Sequence, residues 1–303
     1  MSQLQEMDAF IQIVERGGIG KAADHLGIAK SAVSRRLSEL EKRVGTTLLT
    51  RTTRQSSLTE EGERFYQRSL QILGDIEELN TSTGDHNTSF TGTIRIAAPP
   101  AFGLTQLPKP LVDFMVTYPD ITLAISLSNR LIDLVSDGFD VAIRIGDKEA
   151  AENANAILCP VHHVICASPG YLETNGTPTT PKELEQHKTL QYCHQSHQAI
   201  KFYGAKNRST LAMPPIKMRA NDGAILRTAA LEGQGIFFAE TFIVSNDIKS
   251  GKLVPILQNY TLEKHYLYAI YPQSRFVAKR VRKFIDHIQF SFNQEPMWDD
   301  GIK

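Results

Sequence analysis

The sequence predicts an α/β protein that carries a small all-α domain at its N-terminus. Three observations lead to this fold class. Between Gly20 and Leu37, apolar and polar residues follow the spacing of two short helices joined at Gly27. Residues 81–89 are polar, rich in helix breakers and without apolar periodicity, which is typical of a linker. Beyond residue 92, strand-like and helix-like segments alternate, and a chain of 303 residues is long enough for more than one domain.

The second helix of the N-terminal pair has two opposite faces. At about 100° per residue, its apolar side chains fall on one stripe: Val33, Leu37, Leu40 and Val44. Hydroxyls and cations fall on the opposite stripe, which comprises Ser31, Ser34, Arg35, Ser38 and Lys42. Gly27 allows the left-handed conformation that ends the first helix abruptly. One face therefore packs and the other is free to enter a groove of DNA, which is the geometry of a helix-turn-helix.

The charge of this segment favours the same interpretation. Between Arg16 and Arg54 there are nine cations and three anions, a local net charge of +6, whereas the whole chain is neutral. Such asymmetry is expected of a phosphate-binding domain attached to a domain that does not bind nucleic acid. The alternative is a helical hairpin with a solvated basic face.

Residues 46–59 are rich in strand formers and predict a hairpin, or wing, beside the second helix. The alternative is a hairpin exposed to solvent without a role in binding. The predicted domain is a winged helix-turn-helix over residues 1–59. We expect Ser31, Ser34 and Arg35 to contact base edges, with Ser38 on the same face. The residues expected mostly at phosphates or a minor groove are Lys30, Arg51, Thr53 and Arg54.

Residues 60–80 predict a long helix that begins after an N-cap at Thr59. Its apolar residues form two stripes, so the helix needs two partners. We assign one stripe to the same helix of a second subunit and the other, with Tyr66, Leu70 and Leu73, to the chain's own N-terminal domain. The predicted dimer contacts are Phe65, Ile72, Ile76 and Leu79. Burial of both stripes within a single globular domain is the alternative.

Downstream of the hinge linker, assigned to residues 81–90, the elements alternate. Apolar runs predict strands at residues 93–97, 121–127, 141–145, 164–167, 235–239 and 266–271. Helical spacing predicts helices at residues 107–118, 129–136, 224–232 and 276–290.

The chain resembles the LysR-type transcriptional regulators. Over residues 5–65 the matched positions are Ala22-Ala23, Leu26-Gly27, Ala32-Val33-Ser34-Arg35, Leu40-Glu41, Gly45, Arg51, Leu58-Thr59-Glu60 and Gly62. Residues 92–99, 139–146, 167–172 and 233–236 are similar to the same family, so the resemblance extends to about Ile288. It implies sequence-specific operator binding that responds to a small-molecule effector. One departure lies at Ala29, because the family often places Ser and Pro around the entry to the recognition helix and alanine cannot cap a helix.

The resemblance also implies a two-lobed, periplasmic-binding-protein-like effector domain, in which the chain crosses between lobes near residues 160–163 and 263–266. Lobe 1 would comprise residues 91–161 plus 267–291, and lobe 2 residues 162–266. Residues 292–303 form a tail without periodicity, to which we assign no role.

Ligands in open α/β folds lie beyond the carboxyl ends of strands, which locates the expected effector site. From lobe 1 we expect Pro99, Pro100, Ala101, Phe102, Ser128 and Asn129, with Arg144 as a fork-shaped donor to a carboxylate. From lobe 2 we expect Phe202, Asn221 and Asp222. The family frequently has a hydroxyl residue in the loop after the first strand, which residues 99–102 lack, so a more apolar ligand or none is also consistent. Ordinary packing, turn chemistry or, for Arg144, an internal ion pair are the alternatives.

Other chemistry is less well supported. The three cysteines, Cys159, Cys166 and Cys193, include no closely spaced pair, and no signal peptide or long apolar span is present. We therefore expect reduced thiols in a cytoplasmic protein, with oxidant sensing as an alternative. Metal sensing would use histidines near Cys193, namely His194, His197, His187, His162 and His163, but their spacing matches no closed site.

No catalytic motif is evident, so we expect neither an enzyme nor a bound cofactor or metal. An enzyme or a solute-binding protein of the same two-lobed fold is the second class considered, and the basic N-terminal domain disfavours both. The expected partners are double-stranded DNA, further copies of the chain as a homodimer or tetramer, a small-molecule effector and RNA polymerase, with no membrane.

Overall fold

A computed structural model describes residues 2–51, 56–82, 90–134, 136–193, 200–204, 209–272, 278–292 and 296–301. The N-terminal domain and the long helix that follows comprise α1 (Gln3–Arg16), α2 (Ile19–Leu26), α3 (Lys30–Val44), β1 (Leu49–Arg51), β2 (Ser56–Leu58) and α4 (Glu60–Ser82). The first three helices each end at a glycine in the left-handed conformation: Gly17, Gly27 and Gly45. The two strands pair antiparallel, as the wing prediction requires.

The core of this domain contains the predicted apolar stripe of α3. Val33, Leu37 and Leu40 are buried against α1 and α2. Val44 is 39% exposed, so its assignment to the packing stripe is wrong. It lies in the last turn before Gly45, where α3 ends, and the stripe is one turn shorter than the periodicity predicts.

Lobe 1 is built on a five-stranded sheet with strand order β4-β3-β5-β14-β6. Its strands are β3 (Gly92–Ala98), β4 (Ile121–Leu127), β5 (Val141–Gly146), β6 (Ala156–Val161) and β14 (His265–Ile270). Its helices are α5 (Pro100–Thr105), α6 (Pro108–Thr117), α7 (Lys148–Glu152) and α11 (Lys279–Phe292). β3 is parallel to β4 and β5, whereas β14 runs antiparallel to β5 and β6, because the chain returns to this sheet after building lobe 2.

Lobe 2 has a second five-stranded sheet, with strand order β11-β8-β12-β7-β13, and a separate hairpin. Its strands are β7 (His163–Ala167), β8 (Thr189–Tyr192), β9 (Ile200–Tyr203), β10 (Ser209–Ala212), β11 (Ile216–Ala220), β12 (Ile236–Glu240) and β13 (Val254–Ile256). Its helices are α8 (Pro169–Asn175), α9 (Gly223–Leu231) and α10 (Thr241–Lys249), with a 3-10 helix at Pro181–Gln186. The chain enters lobe 2 at His162 and leaves it between β13 and β14, within or beside the predicted crossings.

The helix predicted at residues 129–136 is wrong. The structure has turns there, and side chains bond to the local backbone in place of a helical ladder. The Ser128 hydroxyl accepts the N–H of Arg130 at 3.1 Å, and an Asp137 carboxylate oxygen accepts the N–H of Asp133 at 3.2 Å. The Arg144 guanidinium further holds the carbonyls of Ser128 and Arg130, at 3.1 and 3.0 Å.

The tail, to which we assigned no role from its sequence, contributes to the fold. Trp298, in a 3-10 helix at Met297–Asp299, contacts the rings of Phe102, Phe242 and Phe292 at centroid distances of 6.0, 6.0 and 5.9 Å. Phe102 and Phe292 belong to lobe 1 and Phe242 to lobe 2, so the tail packs against both lobes at once. Nδ1 of His162, at the first crossing, lies 2.6 Å from the buried carboxylate of Asp299.

Candidate nucleic-acid interface and ligand cleft

The outward face of α3 carries the predicted base-contacting residues. Ser31, Arg35 and Ser38 are exposed, Ser34 is partly exposed, and Lys30 is exposed at the first position of the helix. Ser31, Arg35 and Ser38 lie opposite the buried stripe, so this face of one helix presents hydroxyls and a cation together, with Lys30 at its N-terminal end. Of the predicted wing contacts, Arg51 ends β1, whereas Thr53 and Arg54 lie outside the described residues.

Two acidic side chains fix the position of α3, one on α1 and one on α3 itself. Glu6 of α1 is buried, and its carboxylate accepts hydrogen bonds from Nε and Nη2 of Arg43, each at 3.1 Å. These hydrogen bonds, reinforced by the carboxylate charge, raise the pKa of Arg43. Glu41 accepts the backbone N–H groups of Leu48 and Leu49 at 2.8 and 3.2 Å, which ties the wing to the end of α3.

The start of α4 lies unusually close to the wing. A Cβ placed on Gly62 would lie 2.0 Å from the carbonyl oxygen of Leu48, so the two backbones touch only because this residue is glycine. The Thr59 hydroxyl caps the helix by accepting the N–H of Gly62 at 2.8 Å, and donates to the carbonyl of Thr47 at 2.9 Å. The wing and α4 are therefore one packed unit.

Residues from both stripes of α4 pack on the chain's own N-terminal domain, including Tyr66, whose ring lies 6.3 Å from that of Phe10. Phe65 lies 5.8 Å from the ring of Phe10, and Phe65 and Ile72 both pack against the domain core. Both residues remain partly exposed, so their assignment to a contact with a second subunit stays a prediction, because periodicity defines a stripe but not its partner. Ile76 is partly buried, and the Leu79 side chain lies outside the described residues.

A cavity of about 650 Å³ lies between the lobes, at the carboxyl ends of the strands. Of the predicted effector residues, the structure brings Pro99, Ala101, Phe102, Asn129, Arg144 and Asn221 to its lining. Pro100, Ser128 and Asp222 lie beside it: Pro100 starts α5, the Ser128 carbonyl holds Arg144, and the Asp222 carboxylate caps α9 by accepting the N–H of Ala224 at 2.8 Å.

Phe202 does not line this cavity, and its assignment to the effector site is wrong. It is fully buried in the core of lobe 2, where its ring lies 6.3 Å from Phe238 and 6.4 Å from Tyr260. Pairing of β9 with β10 directs this side chain inward, which the sequence pattern alone did not show.

The lobe 1 wall of the cleft carries a cation. Arg144 on β5 is paired in register with Tyr268 on β14, and both line the cavity. Burial lowers the pKa of Arg144 and raises that of Tyr268. Arg144 donates to the two loop carbonyls described above, which fixes the plane of its guanidinium group.

The lobe 2 wall carries an acid that the sequence analysis missed. Glu240, at the end of β12, is paired in register with His163 on β7 and accepts a 2.7 Å hydrogen bond from the hydroxyl of Tyr192. Burial raises the pKa of Glu240. Burial also lowers the pKa of His163 to about 3, helped by His265, whose ring lies 4.7 Å away. His163 is therefore uncharged near neutral pH. The strand-end rule that found Asn129 could also have found Glu240, which directly follows a predicted strand.

Comparison with known families decides the identity. Residues 4–63 match the bacterial regulatory helix-turn-helix protein, lysR family, and residues 87–292 match the LysR substrate binding domain. The chain belongs to the LysR family of transcriptional regulators. This is a family of DNA-binding regulators and not of enzymes.

Individual relatives match this LysR chain over nearly its whole length. The HTH-type transcriptional regulator CrgA of Neisseria meningitidis (serogroup C) is 34% identical over 286 residues, covering 94% of this chain and 95% of the relative. YhjC of Escherichia coli K12, an HTH-type transcriptional regulator, is 33% identical over 292 residues, covering 94% and 96%. The solved structure of CrgA covers 95% of this chain and 99% of its own, with 32% identity and a TM-score of 0.60. Full-length AphB, the Vibrio cholerae virulence activator, covers 95% and 98%, with 26% identity and a TM-score of 0.58.

The thiols divide into two kinds. Cys159 and Cys166 are buried, which raises the pKa of each to about 12, whereas Cys193 is exposed. Within the described ranges no three His, Cys, Asp or Glu side chains are grouped so as to hold a metal ion, and His194 and His197 lie outside those ranges. Likewise, no helix of the described part of the chain is both long and apolar enough to cross a bilayer.

Proposed function

We propose that this LysR regulator binds operator DNA through the exposed face of α3 and that a small-molecule effector in the interlobe cleft modulates that binding. The observation that carries the proposal is the pairing of a cationic, hydroxyl-bearing helix face with a two-lobed domain around a cavity of about 650 Å³. Cavities of this size are typical of small-molecule sites. We propose no resident cofactor beside this effector.

DNA reading requires at least two copies of the chain. A recognition helix contacts one half-site, and paired subunits read inverted half-sites about one helical turn apart. Leu70 and Leu73 do not belong to the core cluster that includes Phe65, Tyr66 and Ile72, and they form the proposed homodimer surface of α4. Two dimers forming a tetramer would extend the contact along the operator. Such a regulator works in the cytoplasm, where its DNA is, and acts on transcription through contact with RNA polymerase.

The DNA assignment is tested with Arg35→Ala and the full-length chain. A duplex is first selected by wild-type protein from a random-sequence library, and affinity is then measured for that duplex and for unselected DNA at one salt concentration. We expect Arg35→Ala to lose about 10-fold or more on the selected duplex and much less on the unselected one, because base contacts carry specificity. Arg282→Ala, an exposed arginine on α11, is the matched control and should leave both affinities unchanged. Equal losses on the two duplexes would mean that Arg35 contacts phosphate only.

The dimer assignment is tested by sedimentation. Leu73→Glu places a charge on the second stripe of α4 and should shift the chain toward the monomer. If Leu73→Glu sediments as wild type does, α4 does not form the dimer through that stripe.

A further inference from the structure

An arginine and a glutamate on opposite walls of the interlobe cleft are in no ion pair among the residues that the structure describes, whereas Arg130, a further cation of the lining, is paired with Asp137. Arg144 belongs to lobe 1 and Glu240 to lobe 2, and both line the same cavity. Neither occurs among the salt bridges formed by the described side chains. Burying a charge without a counter-charge is costly, so an oppositely charged partner that enters the cleft would stabilise each group.

The surroundings of Glu240 favour a cationic partner. One carboxylate oxygen accepts from Tyr192, whose hydroxyl is held in a tight space, because a Cβ on Gly223 would lie 2.2 Å from it. The nearest titratable neighbours are no substitute for a cation: His163 is uncharged near neutral pH, and Asp222 is an acid whose charge raises the pKa of Glu240 further. The acid is thus held in place with no positive charge beside it, and a cation that enters the cleft would favour its ionised form.

The surroundings of Arg144 favour an anionic partner. A guanidinium group has five N–H donors. The carbonyls of Ser128 and Arg130 take one each, from Nη1 and Nη2. These two bonds orient the group without neutralising it, since carbonyl oxygens are uncharged. Donors remain for a carboxylate, which arginine binds in a fork-to-fork geometry.

The lobes approach closely enough for one small molecule to contact both walls. The side-chain amide of Asn129 in lobe 1 donates to the carbonyl of Asn221 in lobe 2, at the edge of the cavity. At the base, Phe102 of lobe 1 and Phe242 of lobe 2 meet edge to face with centroids 5.5 Å apart.

We propose that the effector is a small zwitterion, whose carboxylate pairs with Arg144 and whose protonated amine pairs with Glu240. The inference rests on the proposed effector role of the cleft and names the ligand class. A zwitterion contacts both lobes and so stabilises their closed arrangement, whereas a simple carboxylate contacts lobe 1 alone. Differential binding of this kind is what a ligand needs in order to shift a conformational equilibrium.

The chain supplies its own reporter for a binding experiment. Trp298 is the only tryptophan, and its ring contacts Phe102 and Phe242 at the base of the cleft. Its emission, together with thermal stabilisation of the full-length protein, is recorded with matched probe triplets. Each triplet comprises a common α-amino acid, the carboxylic acid that lacks its amine, and the amine that lacks its carboxylate, and β- and γ-amino acids are added to vary the spacing of the charges. We expect one or more zwitterions to bind at least about 10-fold more tightly than both of their single-charge counterparts.

Two variants assign the charges. Glu240→Gln keeps an oxygen to accept from Tyr192 but removes the charge, and should weaken the zwitterion about 10-fold or more while leaving the matched carboxylate unaffected. Arg144→Lys keeps the charge but loses the fork, and should weaken both the zwitterion and the carboxylate. Glu232→Gln, an exposed acid at the end of α9, is the control and should bind as wild type does.

The inference and the proposed function fail in different ways. If no zwitterion binds more tightly than its carboxylate, or if Glu240→Gln binds the zwitterion as wild type does, the amine assignment is overturned. Carboxylate binding that changes the Trp298 emission would then still support the cleft as the effector site. Operator selection by α3 requires no ligand and is decided separately.

Discussion

Replacement of Gly62 by alanine tests whether the wing and α4 form a single packed unit. An added Cβ would lie 2.0 Å from the carbonyl oxygen of Leu48, 2.9 Å from its carbonyl carbon and 3.0 Å from the Thr59 hydroxyl. Ordinary contacts begin near 3.4 Å, so the helix and the wing must separate by more than about 1 Å. That movement stretches the 3.0 Å hydrogen bond from the N–H of Thr59 to the same carbonyl.

The expected cost follows from overpacking. Inserting a methyl group into packed backbone costs about 1–3 kcal/mol and occasionally more, and here no flexible side chain can move aside. A small helix-propensity gain offsets part of this, so we expect a net loss of about 2–3 kcal/mol. For a unit of this size, that corresponds to a fall of roughly 10–20 °C in the melting temperature of the N-terminal transition. Calorimetry of the full-length chain measures this melting temperature, and the affinity for operator DNA should fall in parallel.

Gly74→Ala on the same helix is the matched control. Its Cβ would meet only the Nη2 atom of Arg280, at an ordinary contact distance of 3.4 Å, so the exchange should stabilise α4 by about 0.5–1 kcal/mol. The packing argument is refuted if Gly62→Ala melts at or above wild type, or if both variants lose the same stability.

Three further outcomes are expected. With an aromatic disulfide reagent, native protein should show one rapidly reacting thiol, which is lost in Cys193→Ser. The reason is that Cys159 and Cys166 are buried and their pKa values are raised. Two or more rapidly reacting thiols would contradict their burial. The pKa of His163 is about 3 in the folded protein and 6.5 in the unfolded chain. Between these pH values the unfolded chain therefore binds more protons than the folded protein. The free energy of unfolding should fall as the pH drops through this range, by up to about 1.4 kcal/mol per pH unit. His163→Gln should lessen that slope, and an unchanged slope would show that His163 is not buried uncharged. Ala29→Ser should stabilise the N-terminal domain by about 0.5–2 kcal/mol in thermal unfolding, because Ala29 already has extended N-cap geometry without a side-chain cap, and no gain would mean that the hydroxyl does not reach the first turn.

Periodicity predicted those elements whose own residues determine their structure. α3 and the alternating strands of the lobes follow directly from apolar spacing. The helix predicted at residues 129–136 failed because side chains of Ser128 and Asp137 bond the local backbone, and Arg144, distant in sequence, holds the loop carbonyls. Local spacing carries no information about such long-range bonds.

The candidate sites likewise include residues that sequence rules locate and contacts that only the structure shows. The carboxyl-end rule located Asn129, Arg144 and Asn221 at the cleft. The same rule covers Glu240, which directly follows a predicted strand, but we did not apply it there. Only the structure shows that Tyr192 and His163 lie on the neighbouring strands, where Tyr192 bonds this carboxylate. Similarly, the two stripes of α4 were evident from the sequence, but the structure was needed to show that Phe65, Ile72 and Tyr66, from both stripes, contact the N-terminal core.

The strand order of lobe 1 has a consequence for synthesis on the ribosome. Among the described strands, β6 is joined to its sheet only through β14, which is translated after all of lobe 2. The sensory half of the nascent chain is therefore unfinished until residue 270 has emerged, whereas the helices that contact DNA are complete about two hundred residues earlier. A growing polypeptide of this protein gains the means to hold DNA well before it gains the means to respond to a metabolite.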